Sequence, residues 1–241
     1  MKPNPLKEIT REWVSWGELI GKLVKFCHAK RVVEIGVQYA QTTIHLCEAV
    51  KTTKGFVNGF DMFGPVADSA YEKKSYGKFS KCLEKLKEHK LHVKLHQMDT
   101  KPEEFRQKMN ELYSKKGIDL AFIDACHSYD GVLNDFKVVY PLLSRTGIIV
   151  FHDTYSHVGL RKFNIDLRTK YYDGTFDVFE LPFGKAKKRT GLTILVKRSY
   201  MLTNTGIINF EHDPDMKAEE IYEYENKFLL DEIKRSKPEN E

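Results

Sequence analysis

Short apolar runs alternate with amphipathic helical segments along most of the chain. The run at 31–36 is apolar except for its first residue and one acid, as in a strand buried on both faces. The segment at 72–89 instead places Phe79, Leu83 and Leu86 at helical spacing. The pattern predicts helices at 12–28, 41–51, 72–89, 102–114 and 131–143. It predicts strands at 31–36, 55–61, 91–99, 118–124 and 146–153.

The end of the pattern differs, because two further predicted strands, at 175–183 and 190–198, are joined by a very short connection. A connection that short forces an antiparallel hairpin. Strands that alternate with helices favour a parallel sheet covered on both faces. We therefore predict an α/β fold with a doubly wound, seven-stranded, mostly parallel sheet that ends in an antiparallel C-terminal hairpin. Its sixth strand runs parallel to the first five.

Three regions are predicted: a helical lead-in at 1–29, a main domain at 30–198 and an extension at 199–241. The extension is expected to hold a helix at 217–234 and a disordered polar end. Residues 211–241 carry eleven acids and five bases, so the rest of the chain is strongly basic although the net charge is only +5. This imbalance indicates an anionic substrate or a solvated tail, and is too mild to indicate nucleic acid.

Composition changes this picture little. The 241 residues are 41% hydrophobic and 30% charged, which excludes fibrous, low-complexity and wholly disordered chains. No apolar run approaches the ~18 residues of a membrane span, and the first residues lack a signal-peptide core. The cysteines form no CxxC pair, so we expect reduced thiols, no zinc ribbon, and a soluble cytoplasmic protein. They are Cys27, Cys47, Cys82 and Cys126.

Every one of the first five predicted strands ends at or near a carboxylate. Ligands of open α/β sheets bind at this edge. Carboxylates crowded there repel each other unless cations or hydroxyl-rich ligands separate them. The alternative is that some of them only cap the following helices. The acids are Glu34, Asp61, Asp99, Asp124 and Asp153, the last preceded by His152.

The segment VVEIGVQYAQTT resembles the first motif of class I S-adenosylmethionine-dependent methyltransferases, which have a Rossmann-like fold. Glu34 and Gly36 match it, Ala40 stands at its second glycine, and Thr42 or Thr43 at its hydroxyl position. Gly36 allows close backbone approach, and the helix N-terminus that follows offers N–H donors. The GxGxxG fingerprint of NAD-binding proteins is absent.

The resemblance continues over 118–154, which is similar to the metal-dependent O-methyltransferase branch, both catechol-type and sugar- or macrolide-type. It implies that Asp124 and Asp153 hold a divalent cation, with help from His152. Thr154 replaces an asparagine ligand of catechol-type enzymes. Oxygen ligation would suit Mg²⁺, whereas a bound histidine favours a transition metal. The matching positions are Asp124, His127, Tyr129, Pro141, Leu142, Leu143, Gly147, His152 and Asp153.

Two acids have specific predicted roles in binding S-adenosylmethionine. Asp61 can accept hydrogen bonds from the ribose hydroxyls. Asp99 resembles the acid near the adenine, although it is equally suited to cap the helix that follows. The cofactor-binding set is Glu34, Gly36, Val37, Thr42, Asp61, Met62, Asp99 and Asp124.

His127 is the candidate general base and, with Asp124, forms the predicted catalytic set. It follows Asp124 by three residues, where catechol-type relatives place a catalytic lysine, and imidazole is a suitable base. The alternatives are a turn histidine for His127 and a structural role for His152. His157 lies just past the same edge and is a further candidate.

Two segments are candidates for the acceptor side of the site. Residues 63–77 are rich in turn formers and are expected to form a lid or a substrate wall. The basic turn of the last hairpin lies at the predicted active-site edge and could reach an anionic substrate. The alternative is a solvated turn that protects the sheet edge. Its basic residues are Lys185, Lys187, Lys188 and Arg189.

These features predict an S-adenosylmethionine-dependent O-methyltransferase that acts on a small-molecule hydroxyl, assisted by Mg²⁺ or another divalent cation. One alternative is a methyltransferase for nucleic acid or nucleotides, which thin aromatic–basic interleaving disfavours. Another is a non-catalytic cofactor-binding subunit. The acceptor is not identified by any motif, and the terminal helices are candidate surfaces for a homo-oligomer.

Overall fold

The computed structural model describes residues 16–64, 79–88, 92–182, 190–198, 200–203 and 206–209. The predicted helix at 217–234, the basic turn at 185–189 and most of the predicted lid lie outside these ranges. Six α-helices are described: α1 Trp16–Phe26, α2 Gln41–Thr53, α3 Phe79–Glu88, α4 Glu103–Tyr113, α5 Tyr129–Val139 and α6 Val158–Thr169. The strands are β1 Arg31–Ile35, β2 Phe56–Asp61, β3 Val93–Gln97, β4 Ile118–Ile123, β5 Leu143–His152, β6 Phe176–Leu181, β7 Leu192–Lys197, β8 Tyr200–Thr203 and β9 Gly206–Asn209.

Seven of these strands form one sheet in the order β3-β2-β1-β4-β5-β7-β6. Pairs among the first five strands are parallel, and β7 is antiparallel to both β5 and β6. The predicted architecture is therefore confirmed, including the terminal hairpin and the direction of β6. The strand order reverses between β1 and β4, which is where doubly wound sheets bind their ligands. The extra hairpin of β8 and β9 was not expected from the sequence.

The sheet is covered on both faces by apolar helix surfaces. On one face α1 and α2 pack through side chains such as Ile20 and Leu46, and on the other α4 to α6 pack through Phe105 and Phe163. Successive side chains of a strand point to opposite faces, so Val32 and its neighbour in β1 belong to different clusters. No helix within the described ranges is both long and apolar enough to cross a membrane.

One predicted boundary is wrong, and one helix was not predicted. The predicted helix at 131–143 ends at Val139 and passes into a short 3₁₀ turn, because Pro141 lacks an N–H and cannot continue an α-helix. Helix α6 was not predicted, although its buried Leu160 and Leu167 lie at helical spacing.

Gly36 joins β1 to the loop that precedes α2, and its conformation requires glycine. Its φ is +92°, a region that other residues rarely adopt. A Cβ atom there would overlap the carbonyl oxygen of Asp124, at the end of β4. The sequence interpretation assigned this glycine to the close approach of a ligand. In the structure it is the end of the neighbouring strand β4 that approaches Gly36 closely. Gly36 therefore allows the two central strand ends to lie side by side.

We expect Gly36→Ala to lower the free energy of unfolding by roughly 3 kcal/mol or more, because backbone strain and steric overlap add. Urea denaturation followed by circular dichroism measures this loss. Gly64→Ala is the matched control, since the nearest atom to its Cβ would be 3.7 Å away. Equal stability of the two variants would contradict the role given to Gly36.

Candidate active site

Three polar side chains from two neighbouring strand ends meet at the carboxyl edge of the sheet. Asp124 follows β4, His152 is the last residue of β5, and Asp153 comes next. The Nδ1 atom of His152 lies 3.2 Å from Oδ1 of Asp124 and 3.5 Å from Oδ1 of Asp153. The parallel pairing of β4 with β5 brings the two ends together. The residues predicted to hold a cation are thus adjacent.

His127 lies over the same pair of carboxylates. Its Nε2 atom is 3.7 Å from Oδ1 of Asp124 and 3.6 Å from Oδ2 of Asp153. The Ser128 hydroxyl accepts a hydrogen bond from the N–H of Gly131, which caps α5 and fixes the turn that carries His127. The Nε2 atom is buried without a hydrogen-bond partner. The predicted base therefore has a ring nitrogen directly beside both carboxylates.

His157 extends this cluster, and the sequence marked it only as a further candidate. Its ring stacks on the His127 ring, with the centroids 4.1 Å apart and the planes at 13°. Its Nε2 atom lies 4.0 Å from Oδ2 of Asp153. Partial burial, and then the neighbouring His127, lower the pKa of His157 below its ordinary value. Its spacing of four residues from Asp153 was the available signal.

The charges of the cluster stabilise one another. Burial alone would raise the pKa of Asp124 and Asp153, but the nearby histidines hold both below the usual aspartate value. Burial would lower the pKa of His152, yet the two carboxylates raise it well above its ordinary value. Asp153 also has a φ of +56°, a strained conformation that is characteristic of functional sites.

Aromatic side chains enclose His152. The Trp16 ring meets it edge-on at 5.5 Å between centroids, and the Phe122 ring does so at 6.0 Å. Trp16 begins α1, so a residue of the predicted lead-in helix forms part of the site. The sequence pattern assigned Trp16 only to the apolar face of that helix, because spacing reports burial but not which residue a side chain will meet.

The donor set suits a divalent cation. Two groups of three residues bring their ligand atoms within 4.8 Å of one another: Asp124, His152 and Asp153, and then His127, Asp153 and His157. The Nε2 atom of His152 is buried without a hydrogen bond, and its Nδ1 atom lies beside the two carboxylates. A cation held by Nδ1 and the carboxylates would offset the repulsion between the two acids. Thr154 is buried and belongs to neither group.

Glu34 is fully buried beneath the edge. Burial, with smaller contributions from Asp124 and Asp61, raises the pKa of Glu34 to about 8, although Thr43 opposes the shift. Glu34 therefore keeps its proton at neutral pH. As a neutral acid it adds no negative charge to the cluster above it, which the sequence pattern alone did not indicate.

Asp61 holds the loop between β1 and α2. Its Oδ2 atom accepts hydrogen bonds from the N–H groups of Val37 and Gln38, both at 2.8 Å. Its Oδ1 atom accepts one from the N–H of Phe63 at 2.6 Å. The predicted ribose acid thus has a structural role in the loop, and its contact with the ribose stays a prediction.

The other predicted cofactor residues lie along the same edge. Thr42 is half-buried in the first turn of α2, and Met62 is exposed after β2. Asp99 follows β3 and accepts a hydrogen bond from the N–H of Lys101. The alternative of a helix cap for Asp99 is wrong, because Pro102 occupies that position in α4. Contacts of these residues with a cofactor stay predictions.

Helix α5 anchors the segment that follows β3. The Asn134 side chain donates a hydrogen bond to the carbonyl oxygen of Thr100 at 2.8 Å. Next to it Asp135 is buried, and neither carboxylate oxygen has a partner of good geometry. Burial therefore raises the pKa of Asp135 to about 7, with Asp99 adding to the shift and Thr100 opposing it. The sequence patterns did not single out Asp135.

Comparison with known proteins shows the family to which the chain belongs. A family model described as "Methyltransferase domain" matches residues 33–154, which is half of the chain and includes Glu34, Asp124 and Asp153. The chain belongs to this methyltransferase family. The resemblance to class I S-adenosylmethionine-dependent methyltransferases is thereby confirmed.

One curated relative matches a short segment. It is an uncharacterized protein of Acanthamoeba polyphaga mimivirus, 49% identical over 37 residues. The match covers 15% of this chain and 17% of that protein. This segment therefore says nothing about the whole of either protein.

Solved structures share the fold. An O-methyltransferase from Bacillus cereus in complex with SAH has a TM-score of 0.58 at 16% identity, over 77% of this chain and 81% of the other. The O-methyltransferase TomG from Streptomyces achromogenes, in complex with SAM, has a TM-score of 0.55 at 16% identity, over 76% of this chain and 79% of the other. An rRNA methylase from Streptococcus thermophilus has a TM-score of 0.53 at 11% identity, over 75% of this chain and 95% of the other. The fold alone therefore does not identify the acceptor.

The loop held by Asp61 generates a stability prediction. Gln38 is exposed with a φ of +49°, which costs a non-glycine residue about 1 kcal/mol. We expect Gln38→Gly to raise the free energy of unfolding by about that amount. Gln107→Gly, on the exposed face of α4, should lower it by about 1 kcal/mol. Urea denaturation measures the change in the free energy of unfolding of each variant, and the two changes should have opposite signs. Changes of the same sign would contradict the loop conformation.

Asp135 generates a prediction about pH. Its folded pKa of about 7 exceeds the unfolded value near 3.9, so the folded state retains a proton that the unfolded state releases. This group therefore destabilises the fold progressively as pH rises from about 4 to 7. We expect Asp135→Asn to be more stable than the wild type by roughly 2–4 kcal/mol at pH 8. The free energy of unfolding of both proteins, measured at several pH values, should show this advantage vanish near pH 4. A difference that stays constant with pH would contradict the raised pKa of Asp135.

Proposed function

We propose that the protein transfers the methyl group of S-adenosylmethionine to a hydroxyl oxygen of a small-molecule acceptor, assisted by a divalent cation. The observation that carries the proposal is the position of His127, whose unpartnered Nε2 atom faces Asp124 and Asp153 within 3.7 Å. A base beside a candidate cation site is what activation of a hydroxyl requires.

The transfer is an in-line displacement. The bond from the methyl carbon to sulfur breaks while a bond to the acceptor oxygen forms, which leaves S-adenosylhomocysteine. The hydroxyl proton passes to Nε2 of His127. The stacked ring of His157 restricts the orientation of the His127 ring.

Asp124, His152 and Asp153 would hold the cation. A bound divalent cation lowers the pKa of a hydroxyl that contacts it, so that less basic strength is needed from His127. Trp16 and Phe122 exclude water from one side of His152. Glu34, neutral beneath the site, leaves the two aspartates as the charged acids next to the cation.

The acceptor and the cellular location belong to the same proposal. An anionic acceptor would suit the basic turn predicted at 185–189, which the structure does not describe. A cytoplasmic location suits the four cysteines, which are unpaired.

The test of this function measures ligand binding and turnover separately. We expect S-adenosylhomocysteine to raise the melting temperature, since it binds the native state. Labelled S-adenosylmethionine should then methylate a member of a panel of small catechols, phenols and sugars. EDTA should abolish this transfer and added divalent cation should restore it.

His127→Ala should reduce transfer by about 10²–10⁴-fold and leave the thermal shift intact. His92→Ala is the matched control, since His92 is exposed before β3 at the opposite edge. Methylation of RNA but of no small molecule would overturn the acceptor class. A thermal shift without any turnover would favour a binding subunit instead.

A further inference from the structure

The proposed cation site contains an imidazole donor, which is uncommon in magnesium sites. Mg²⁺ binds oxygen ligands and retains several waters, whereas imidazole nitrogen suits zinc, copper, iron and nickel. Asp124 and Asp153 provide oxygen, but His152 stands between them with Nδ1 3.2 Å and 3.5 Å from their Oδ1 atoms. From this geometry we infer that the site selects a first-row transition-metal ion over Mg²⁺, and that His152 determines this selectivity. The inference rests on the proposed cation site but not on the acceptor.

The spacing of the donor atoms fits such an ion. Protein ligands lie about 2.0–2.2 Å from zinc, and neighbouring ligands of a tetrahedral or octahedral ion are then about 2.8–3.6 Å apart. Both distances from Nδ1 of His152 fall inside that interval. The ring would therefore need little movement to coordinate.

The surroundings of His152 favour coordination as well. Its side chain is only 11% exposed, and its Nδ1 atom faces the two carboxylates, which are its nearest charged groups. Once Nδ1 has lost its proton, its lone pair would lie beside two negative charges, so a cation held between them would be stabilising. The edge-on Trp16 and Phe122 rings limit rotation away from the two carboxylates.

The wider cluster has the same character. His127 and His157 lie 3.6 Å and 4.0 Å from Oδ2 of Asp153. Three imidazoles thus surround two charged carboxylates in this part of the structure. A nitrogen-rich environment matches the affinity order of divalent first-row metals and gives Mg²⁺ no advantage.

The experiment uses the full chain without a histidine tag, stripped of metal and free of cofactor and acceptor. Co²⁺ is titrated, and binding is followed by its visible absorption bands. We expect the bands to persist in a hundredfold excess of Mg²⁺ and to disappear when Zn²⁺ is added. Displacement of Co²⁺ by Mg²⁺ at a comparable concentration, or the absence of any bound ion, would overturn the inference. In the latter case His152 would act as a fixed imidazolium instead.

The variant His152→Asp tests the assigned residue, because it makes the donor set all oxygen. We expect at least tenfold weaker Co²⁺ binding and effective competition by Mg²⁺, whereas His92→Ala should bind like the wild type. An unchanged preference in folded His152→Asp would show that His152 does not determine the metal. If this variant fails to fold by circular dichroism, the wild-type competition still decides the question. Because S-adenosylhomocysteine binding and turnover are measured separately, either proposal can fail without the other.

Discussion

The close backbone contact between Gly36 and Asp124 is the constraint on which the rest of the site depends. Strands β1 and β4 are neighbours at the point where the sheet order reverses, and a side chain at Gly36 would push their ends apart. The N–H of Asp124 also donates to the carbonyl oxygen of Ile35. The loop between β1 and α2 and the first carboxylate of the cluster are therefore positioned by one junction. Asp61 completes it by binding the loop's N–H groups.

Electrostatics then determines which acids at this edge are charged. Glu34 is enclosed by the protein and stays protonated, whereas Asp124 and Asp153 are held ionised by the histidines around them. Acids that look equivalent in the sequence consequently differ in role. A neutral carboxyl beneath two ionised ones reduces the repulsion that five crowded carboxylates would otherwise have.

Local patterns in the sequence predicted the sheet and the strand-end acids, whereas the family resemblance implied the pairing of His127 with Asp124. Hydrophobic periodicity reports burial, and the carboxyl ends of parallel strands must share one edge. The sequence could not predict that Asp61 binds backbone N–H groups or that Glu34 is neutral, since both properties depend on packing between distant segments. Helix α6 is a different case: its apolar spacing was readable, and the omission hid the position of His157 at the start of that helix.

The first described helix belongs physically to the site. Ile20 and Val24 are buried in the same cluster as the sheet residues Val32 and Leu120. The same helix places Trp16 against His152, so the apolar packing that holds α1 on the sheet also restrains the His152 ring. A substitution in the helix that loosened this packing would act on the ring orientation of His152 without touching a ligand. The predicted lead-in helix therefore contributes a side chain to the candidate site, although it precedes the predicted main domain.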